Sequence, residues 1–135
     1  MMRVAFLVAG GASGPVISLD EPLSFWGGFD PETGRVIDRR HPQLGRSLTG
    51  SILFMPTGRG SSSSSNVVAE AIRLHTAPAA VLMSGADSII ALGAMVAEEL
   101  YALTMPVATI GRDEAEVLCG WSHARLEPDG TLSAF

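Results

Sequence analysis

The sequence predicts a single α/β domain, arranged either as a small β/β/α barrel or as layers of sheet and helix. Two observations lead to this prediction. In residues 1–55, short apolar segments alternate with turns rich in glycine and proline, which is typical of strands. From residue 62 onward, helical and strand patterns alternate. Because 135 residues is the size of one domain, we expect residues 1–135 to form one unit with one core.

The first half of the chain is predicted to consist mainly of strands. Turn sequences such as Gly10-Gly11 and Thr33-Gly34 separate the apolar segments from one another. The predicted strands are residues 4–9, 15–19, 23–26, 35–37 and 51–55.

Two helices are predicted in the second half. The first runs from residue 62 to about residue 76, because one set of side chains recurs there at spacings of three and four. That set is Val67, Val68, Ala71, Ile72 and His75. The second helix is capped by Asp87 or Ser88 and continues to about Leu103. It is apolar on most of its surface, which indicates deep burial or a surface for a partner.

Further strands are predicted around these helices. They are residues 79–83, 106–110, 117–121 and 124–127, the last of them followed by a turn at Asp129-Gly130.

Charge and residue types exclude several classes of protein. The net charge of -5 argues against nucleic acid as a partner. All nine basic residues are arginine, so this polypeptide has no lysine for a Schiff base, a pyridoxal phosphate anchor or a Walker motif. Cys119 is the only cysteine, so this chain alone cannot anchor an iron-sulfur cluster. The apolar residues 4–9 are too few to span a bilayer, and we expect a cytoplasmic protein without a membrane partner.

The candidate functional site is the loop that joins the strand at residues 51–55 to the first helix. Its glycines allow the backbone to approach a ligand closely, and the free N–H groups of a helix start favour an anion. Serine hydroxyls and an arginine add further donors at the same place. We therefore assign a carboxylate or phosphate site to Gly58, Arg59, Gly60, Ser61, Ser62 and Ser63.

The loop also has three other interpretations: a nucleotide-binding motif, a helix cap and a flexible linker. The glycine spacing fits neither a dinucleotide nor a triphosphate motif, since Ser63 stands where a third glycine would be needed and no Gly-Lys-Ser/Thr occurs. The serines alternatively only cap the helix while the glycines make a tight turn. A flexible linker at residues 61–65 is rejected, because a strand ends just before these serines and a helix begins within them.

Longer motifs lie in and around this loop and extend over nearly the whole chain. They are LSFWGGFDPETGRVID at residues 23–38, RRHP at 39–42, PTGRGSSSSS at 56–65, TAPAA at 76–80 and ALGA at 91–94. Together they resemble the small, swivelling-domain subunit of the aconitase X enzymes.

The resemblance implies a swivelling β/β/α barrel that closes over an active site on a larger partner. It implies a dehydratase of the aconitase superfamily, acting on a small hydroxy acid with a large subunit that carries an iron-sulfur cluster. Members of the family act as cis-3-hydroxy-L-proline dehydratases in bacteria or as mevalonate 5-phosphate dehydratases in archaea. The absence of lysine and the sequence of residues 23–28 are more similar to the bacterial hydroxyproline dehydratases, although composition does not select a substrate.

The resemblance also implies a role for Ser61. The equivalent loop of aconitase reads Gly-x-Gly-Ser-Ser-Arg, and its first serine is the catalytic base. Ser63 stands where aconitase has a carboxylate-binding arginine, which argues against a tricarboxylate substrate. A serine is a poor base in water, so Ser61 needs N–H donors and positive charge around it to take a proton.

Several other residues have two interpretations each. Phe25 and Trp26 lie in a loop that covers the substrate or faces a partner, or alternatively they pack in the core. The basic cluster of Arg39, Arg40 and His41 could bind a phosphate or pair with acidic residues across an interface. We prefer the interpretation that it forms a solvated turn before Pro42.

The remaining candidates are assigned structural roles. His75 and His123 lack a second ligand at metal spacing and are expected to be structural, and Cys119 is expected to be buried and inert. The competing hypothesis for the whole chain is a free-standing anion-binding or regulatory domain that uses the serine loop without chemistry.

Overall fold

The protein is built around an eight-stranded mixed sheet that curls into a nearly closed barrel. This computed structural model describes residues 1–58 and 60–135. In chain order the elements are β1 (Met2–Arg3), β2 (Ala5–Val8), β3 (Ala12–Ser18), α1 (Phe25–Gly28), β4 (Phe29–Asp30), β5 (Arg35–Val36), β6 (Ile52–Met55), α2 (Ser64–Arg73), β7 (Ala80–Met83), α3 (Ser88–Tyr101), β8 (Val107–Thr109), α4 (Arg112–Cys119), β9 (His123–Leu126) and β10 (Thr131–Ala134). The mixed α/β barrel predicted from the sequence is confirmed.

The barrel closes through the two ends of the chain. The strand order is β1-β10-β9-β3-β6-β7-β8-β2, so β1 and β2 lie at opposite ends of the order although only Val4 separates them in sequence. The Val4 N–H donates to the Gly130 carbonyl at 2.9 Å and continues the pairing between β1 and β10. A single bent segment therefore joins the two edges of the sheet.

Four neighbouring strands, β3, β6, β7 and β8, are parallel, and this arrangement positions the site. Their pairing includes Val16 opposite Ile52, Ile52 opposite Ala80 and Val81 opposite Val107. The carboxyl ends of these strands consequently meet at one edge. Helices α2, α3 and α4 follow β6, β7 and β8, so all three begin at that edge.

The core lies on both sides of the parallel strands. Along β6, Leu53 and Met55 belong to an apolar cluster that includes residues of α2 and α3, while Ile52 and Phe54 belong to a second cluster with β9 and β10. A strand buried on both faces needs a continuous apolar sequence rather than an alternating one. Residues 52–55 provide such a sequence.

Two predicted strands are wrong. Residues 23–26 form no strand, because the backbone turns within the short element α1, where Gly27 has a φ of 81°. Residues 117–121 overlap helix α4 instead, where the buried Ala115 and Leu118 are three positions apart. Acidic residues in the first turn of α4 favour the helix through its dipole.

The other elements follow the sequence prediction closely. The strands at residues 15–19, 51–55, 79–83 and 106–110 are confirmed as β3, β6, β7 and β8 within one to three residues at each end. Asp87 is confirmed as the cap of α3. Over residues 1–58 and 60–135, no helix is long and apolar enough to cross a membrane.

Candidate functional site

The loop after β6 lies at the carboxyl edge of the parallel strands. Its first residue, Pro56, accepts hydrogen bonds at its carbonyl from the N–H groups of Ser84 at 3.0 Å and Gly85 at 2.9 Å. These bonds tie the loop to the segment that follows β7. The start of α2 and the start of α3 are therefore held side by side.

Gly58 packs directly against Asp87 of this neighbouring segment. A Cβ placed on Gly58 would overlap the Asp87 Oδ2, and would lie 2.7 Å from the Asp87 Cγ and 3.1 Å from the Ile90 Cδ1. Asp87 is itself fixed, because its Oδ1 accepts the N–H groups of Ile89 at 2.8 Å and Ile90 at 3.1 Å. Only glycine fits at residue 58 without moving the cap of α3.

The serine segment turns the chain into α2. The Ser61 Oγ accepts the Ser63 N–H at 3.2 Å, and the Ser61 carbonyl accepts the Ser64 N–H at 2.9 Å. Ser61 is half-buried and Ser62 is exposed. The Ser61 side chain thus lies at the helix start with a backbone N–H directed at its oxygen, an arrangement that suits both a cap and a hydroxyl with acidic character.

Ser64 joins the loop to the segment that carries Trp26. Ser64 is buried, and its Oγ accepts the Trp26 N–H at 3.1 Å. Phe25 is buried in the core, whereas the Trp26 side chain is 59% exposed. Core packing is therefore correct for Phe25, whereas Trp26 lies on the surface beside α2, where a lid or partner-facing residue was expected.

The start of α2 contributes positive potential to the loop. No acidic residue occupies the first turn of α2, so its own sequence does not neutralise the positive end of the helix dipole. The pKa of the Asp129 carboxyl group is lowered, mainly because the Asp129 Oδ1 accepts the Thr131 N–H at 2.9 Å. Asp129 lies in the turn between β9 and β10, at the opposite edge of the barrel.

A groove of about 500 Å³ adjoins the first residue of the loop. Its lining residues come from β6, from the segment after β7 and from α4, and they are Phe54, Pro56, Ser84, Gly85, Arg112, Ala115, Glu116 and Cys119. Arg112 is the first residue of α4 and brings a cation to this groove. Arg112 was not predicted as a site residue, because no helix was predicted at residues 112–119.

The groove also corrects the prediction for Cys119. The thiol is exposed and not buried, and its Sγ lies 3.1 Å from the Ser18 Oγ at the end of β3. Helix α4 is amphipathic, and Leu118 rather than Cys119 occupies its buried face. The expectation of an apolar, buried cysteine is therefore wrong.

The basic cluster at residues 39–41 divides into two parts. Arg39 and Arg40 are exposed, as expected for a solvated turn. His41 is buried, with its Nε2 3.0 Å from the Glu21 carbonyl and its Nδ1 accepting the Gln43 N–H at 3.1 Å. The solvated turn is thus wrong for His41, which instead fixes the path of the backbone.

The site residues assigned from the sequence are brought together in part. Gly58, Gly60, Ser61, Ser62 and Ser63 lie in one loop at the carboxyl edge, and Arg59 lies outside the described residues. His75 and His123 are both exposed. Within the part of the chain that the structure describes, no group of three or more His, Cys, Asp or Glu side chains is placed to hold a metal ion.

With this geometry established, comparison with known proteins identifies the family. The family model of the aconitase X swivel domain matches residues 1–134. The chain belongs to the aconitase X swivel domain family. Solved structures with the same fold include two that cover nearly the whole chain. Aconitase X of Thermococcus kodakaraensis in its holo form superposes with a TM-score of 0.83 at 30% identity, covering 98% of this chain and 96% of that one. The solution structure of a UPF0107 protein superposes with a TM-score of 0.82 at 28% identity, covering 99% and 98%.

Curated relatives of this swivel domain fall into two groups. A cis-3-hydroxy-L-proline dehydratase of Pseudomonas aeruginosa is 48% identical over 93% of this chain and 21% of its own length. That of Hypocrea jecorina is 43% identical over the same shares. A phosphomevalonate dehydratase small subunit of Methanothermobacter thermautotrophicus is 50% identical over 65% of this chain and 67% of its own. The chain spans about a fifth of the length of the hydroxyproline dehydratases that it matches.

Proposed function

We propose that this swivel domain is the small subunit of a dehydratase that removes water from cis-3-hydroxy-L-proline and gives a pyrroline-2-carboxylate. The choice of substrate rests on how much of the chain is similar to each group of relatives. The cis-3-hydroxy-L-proline dehydratases match 93% of the chain, whereas the match to the phosphomevalonate dehydratase small subunit of Methanothermobacter thermautotrophicus ends at 65%.

Ser61 is the proposed base. The Ser61 Oγ, held as its alkoxide, takes the hydrogen next to the carboxylate as a proton and becomes a neutral hydroxyl. The electron pair of that carbon–hydrogen bond forms the carbon–carbon double bond, and the substrate hydroxyl departs as hydroxide, which is protonated to water. The Ser63 N–H, 3.2 Å from the Ser61 Oγ, supports this role because it stabilises negative charge on that oxygen. The start of α2, whose own first turn has no acidic residue, acts in the same direction, whereas the Asp87 carboxylate beside Gly58 opposes it.

The carboxylate of the substrate is proposed to bind at the same helix start. The backbone of Gly58 and Gly60 and the hydroxyls of Ser62 and Ser63 supply its donors, together with Arg59, whose position is not described. Arg112 adds a second candidate cation from the groove beside Pro56.

The residues of this chain do not fit an iron-sulfur cluster. Such clusters are held by several cysteine thiolates, and Cys119 is the only cysteine, with no group of potential metal ligands among residues 1–58 and 60–135. The cluster of the proposed enzyme accordingly belongs to its large subunit. No step assigned here to Ser61 passes through it.

The Ser61→Ala substitution tests the proposal in the enzyme reconstituted with the large subunit. Removing a general base costs on the order of 10²- to 10⁴-fold in turnover, so we expect the rate with cis-3-hydroxy-L-proline to fall into that range. Ser65→Ala is the matched control, because the Ser65 Oγ only donates to the Ser62 carbonyl at 3.0 Å. Turnover by Ser61→Ala equal to that of the control would refute the role of Ser61.

Two alternatives predict different results in the same experiment. A phosphomevalonate dehydratase small subunit would turn over mevalonate 5-phosphate and not the hydroxyproline, and the 50% identity to such a subunit of Methanothermobacter thermautotrophicus favours it. A non-catalytic anion-binding domain would show no turnover. In that case Ser61→Ala would only remove the hydrogen bond from the Ser63 N–H to the Ser61 Oγ, at a cost of about 1 kcal/mol in the free energy of unfolding.

A further inference from the structure

A groove runs along the outer face of α3, between this helix and β2. It consists of two contiguous cavities of about 490 and 390 Å³, which share Leu7 and Met95. The first cavity extends to Ile89 and Leu92, and the second extends to Glu98 and Glu99. The groove is therefore apolar at one end and acidic at the other.

The apolar end consists of large side chains that the domain itself leaves uncovered. Leu92 is 50% exposed and Met95 is 49% exposed. The opposite face of α3 already supplies the core, with Ile90, Ala94 and Ala97 buried. An apolar stripe in addition to a complete buried face is typical of a surface that another protein covers. Of the two interpretations of this helix, deep burial is wrong for the outer face.

The apolar end of the groove adjoins the serine loop. The Ile89 Cδ1 lies 3.7 Å from the position of a Cβ on Gly60. From Ile89 the groove follows α3 to Glu99, a distance of roughly 15 Å at the helical rise of 1.5 Å per residue. A polypeptide that closes over the loop from the side of α3 therefore also passes over Ile89 and the side chains next to it.

We propose that this groove docks the large subunit of the dehydratase, with an apolar segment of that subunit on Leu92 and Met95 and a basic side chain at Glu98 and Glu99. The inference rests on the proposed function. Relatives named as small subunits imply a large one, and in the hydroxyproline dehydratases about four fifths of the chain lies outside the matched segment. The negative end of the groove selects a positively charged group by charge complementarity.

The test measures binding of the cognate aconitase X-type large subunit, purified with its cluster, by isothermal titration calorimetry. We expect Leu92→Glu and Met95→Glu each to raise the Kd by about tenfold or more, because each buries a charge at the centre of an apolar contact. Val117→Glu on α4 is the matched control, since Val117 is 54% exposed on another helix. It should leave the Kd within about twofold of the original value.

Either of two results would overturn the docking surface. One is wild-type affinity in both Leu92→Glu and Met95→Glu, and the other is an equal loss of affinity in Val117→Glu. Thermal unfolding of each variant tests whether the fold is retained. Since Leu92 and Met95 are exposed, we expect their Tm to stay close to that of the original chain.

The acidic end has its own measurement. Replacing Glu98 and Glu99 together by glutamine should weaken binding and reduce its dependence on salt, because a charge pair across the interface is lost. A salt dependence identical to that of the original chain would exclude a basic partner at this end.

Ser61→Ala separates this inference from the proposed function. If Ser61→Ala abolishes turnover while Leu92→Glu and Met95→Glu bind normally, the function stands and the groove is wrong. If Leu92→Glu loses binding while Ser61→Ala turns over normally, the groove stands and the catalytic role is wrong. Sedimentation of the small subunit alone tests for a second copy, and a dimer that Leu92→Glu dissociates would assign the groove to that copy and overturn the proposal.

Discussion

At the scale of single residues, the loop depends on a contact between Gly58 and Asp87, which are far apart in sequence. Asp87 caps α3 with its Oδ1, while its Oδ2 occupies the space that a side chain on Gly58 would need. The glycine is therefore required by its neighbour and not by an unusual φ, since Gly58 is not among the residues with positive φ.

The Gly58→Ala substitution should displace the serine loop. We expect a loss of about 1 to 3 kcal/mol in the free energy of unfolding, as for other overpacked sites, and a marked fall in turnover because Ser61 moves with the loop. Chemical denaturation and steady-state kinetics measure the two effects.

Asp87→Ala provides the control for this contact. Alone it removes the cap of α3 and costs about 1 kcal/mol. In the double variant the clash is relieved, so the combined loss should be smaller than the sum of the two single losses. Strictly additive losses would show that Gly58 and Asp87 are not in contact.

At the scale of elements, α2 is positioned by its close approach to α3. A Cβ on Gly93 of α3 would lie 2.6 Å from the Ser65 carbonyl oxygen and 2.8 Å from the Val68 Cβ. Ser65 and Val68 belong to the first half of α2, next to the serine loop. The position of the candidate base is thus determined by helix packing as well as by the loop itself.

Gly93→Ala should separate the two helices. Alanine normally stabilises a helix relative to glycine by about 0.5 to 1 kcal/mol, but here the clash should outweigh that gain and destabilise the protein by about 1 to 3 kcal/mol. Gly120→Ala at the end of α4 is the control, because Gly120 has a φ of -86° and a methyl group there would meet the Val117 carbonyl oxygen at an ordinary contact distance of 3.4 Å. A Gly93→Ala protein as stable as this control would contradict the close packing.

The sequence alone could predict the parts of this site that are local. The apolar strand at residues 51–55, the glycine loop and the start of a helix at the serines follow from spacing and residue type. The approach of Asp87 and Arg112 to the loop depends on parallel pairing among β6, β7 and β8, which no local pattern specifies. Residues 117–121 misled the prediction because Val117, which is exposed, extends the apolar run of an amphipathic helix.

At the scale of the whole molecule, the barrel is closed by pairing between residues near the two ends of the chain. Met2 lies opposite Leu132 and Arg3 opposite Thr131, and Val4 adds its bond to Gly130. Leu132 is fully buried, so this pairing also covers part of the core.

Val4→Pro should weaken the closure, because proline has no N–H to donate to the Gly130 carbonyl. Val4→Ala keeps the donor although it removes two methyl groups, whereas proline has as many side-chain carbons as valine, so the alanine variant is a strict control for the lost N–H. We expect the proline variant to be less stable than the alanine variant by at least about 1 kcal/mol in denaturant unfolding. Equal stability of the two would show that this bond does not contribute to closure.

The adjacency of β1 and β10 also determines how this unit can be attached to another protein. Paired residues on neighbouring strands have their Cα atoms roughly 5 Å apart, so Met2 and Leu132 lie side by side in the barrel wall. A protein fused beyond either of these two strands would therefore be anchored at the same part of that wall.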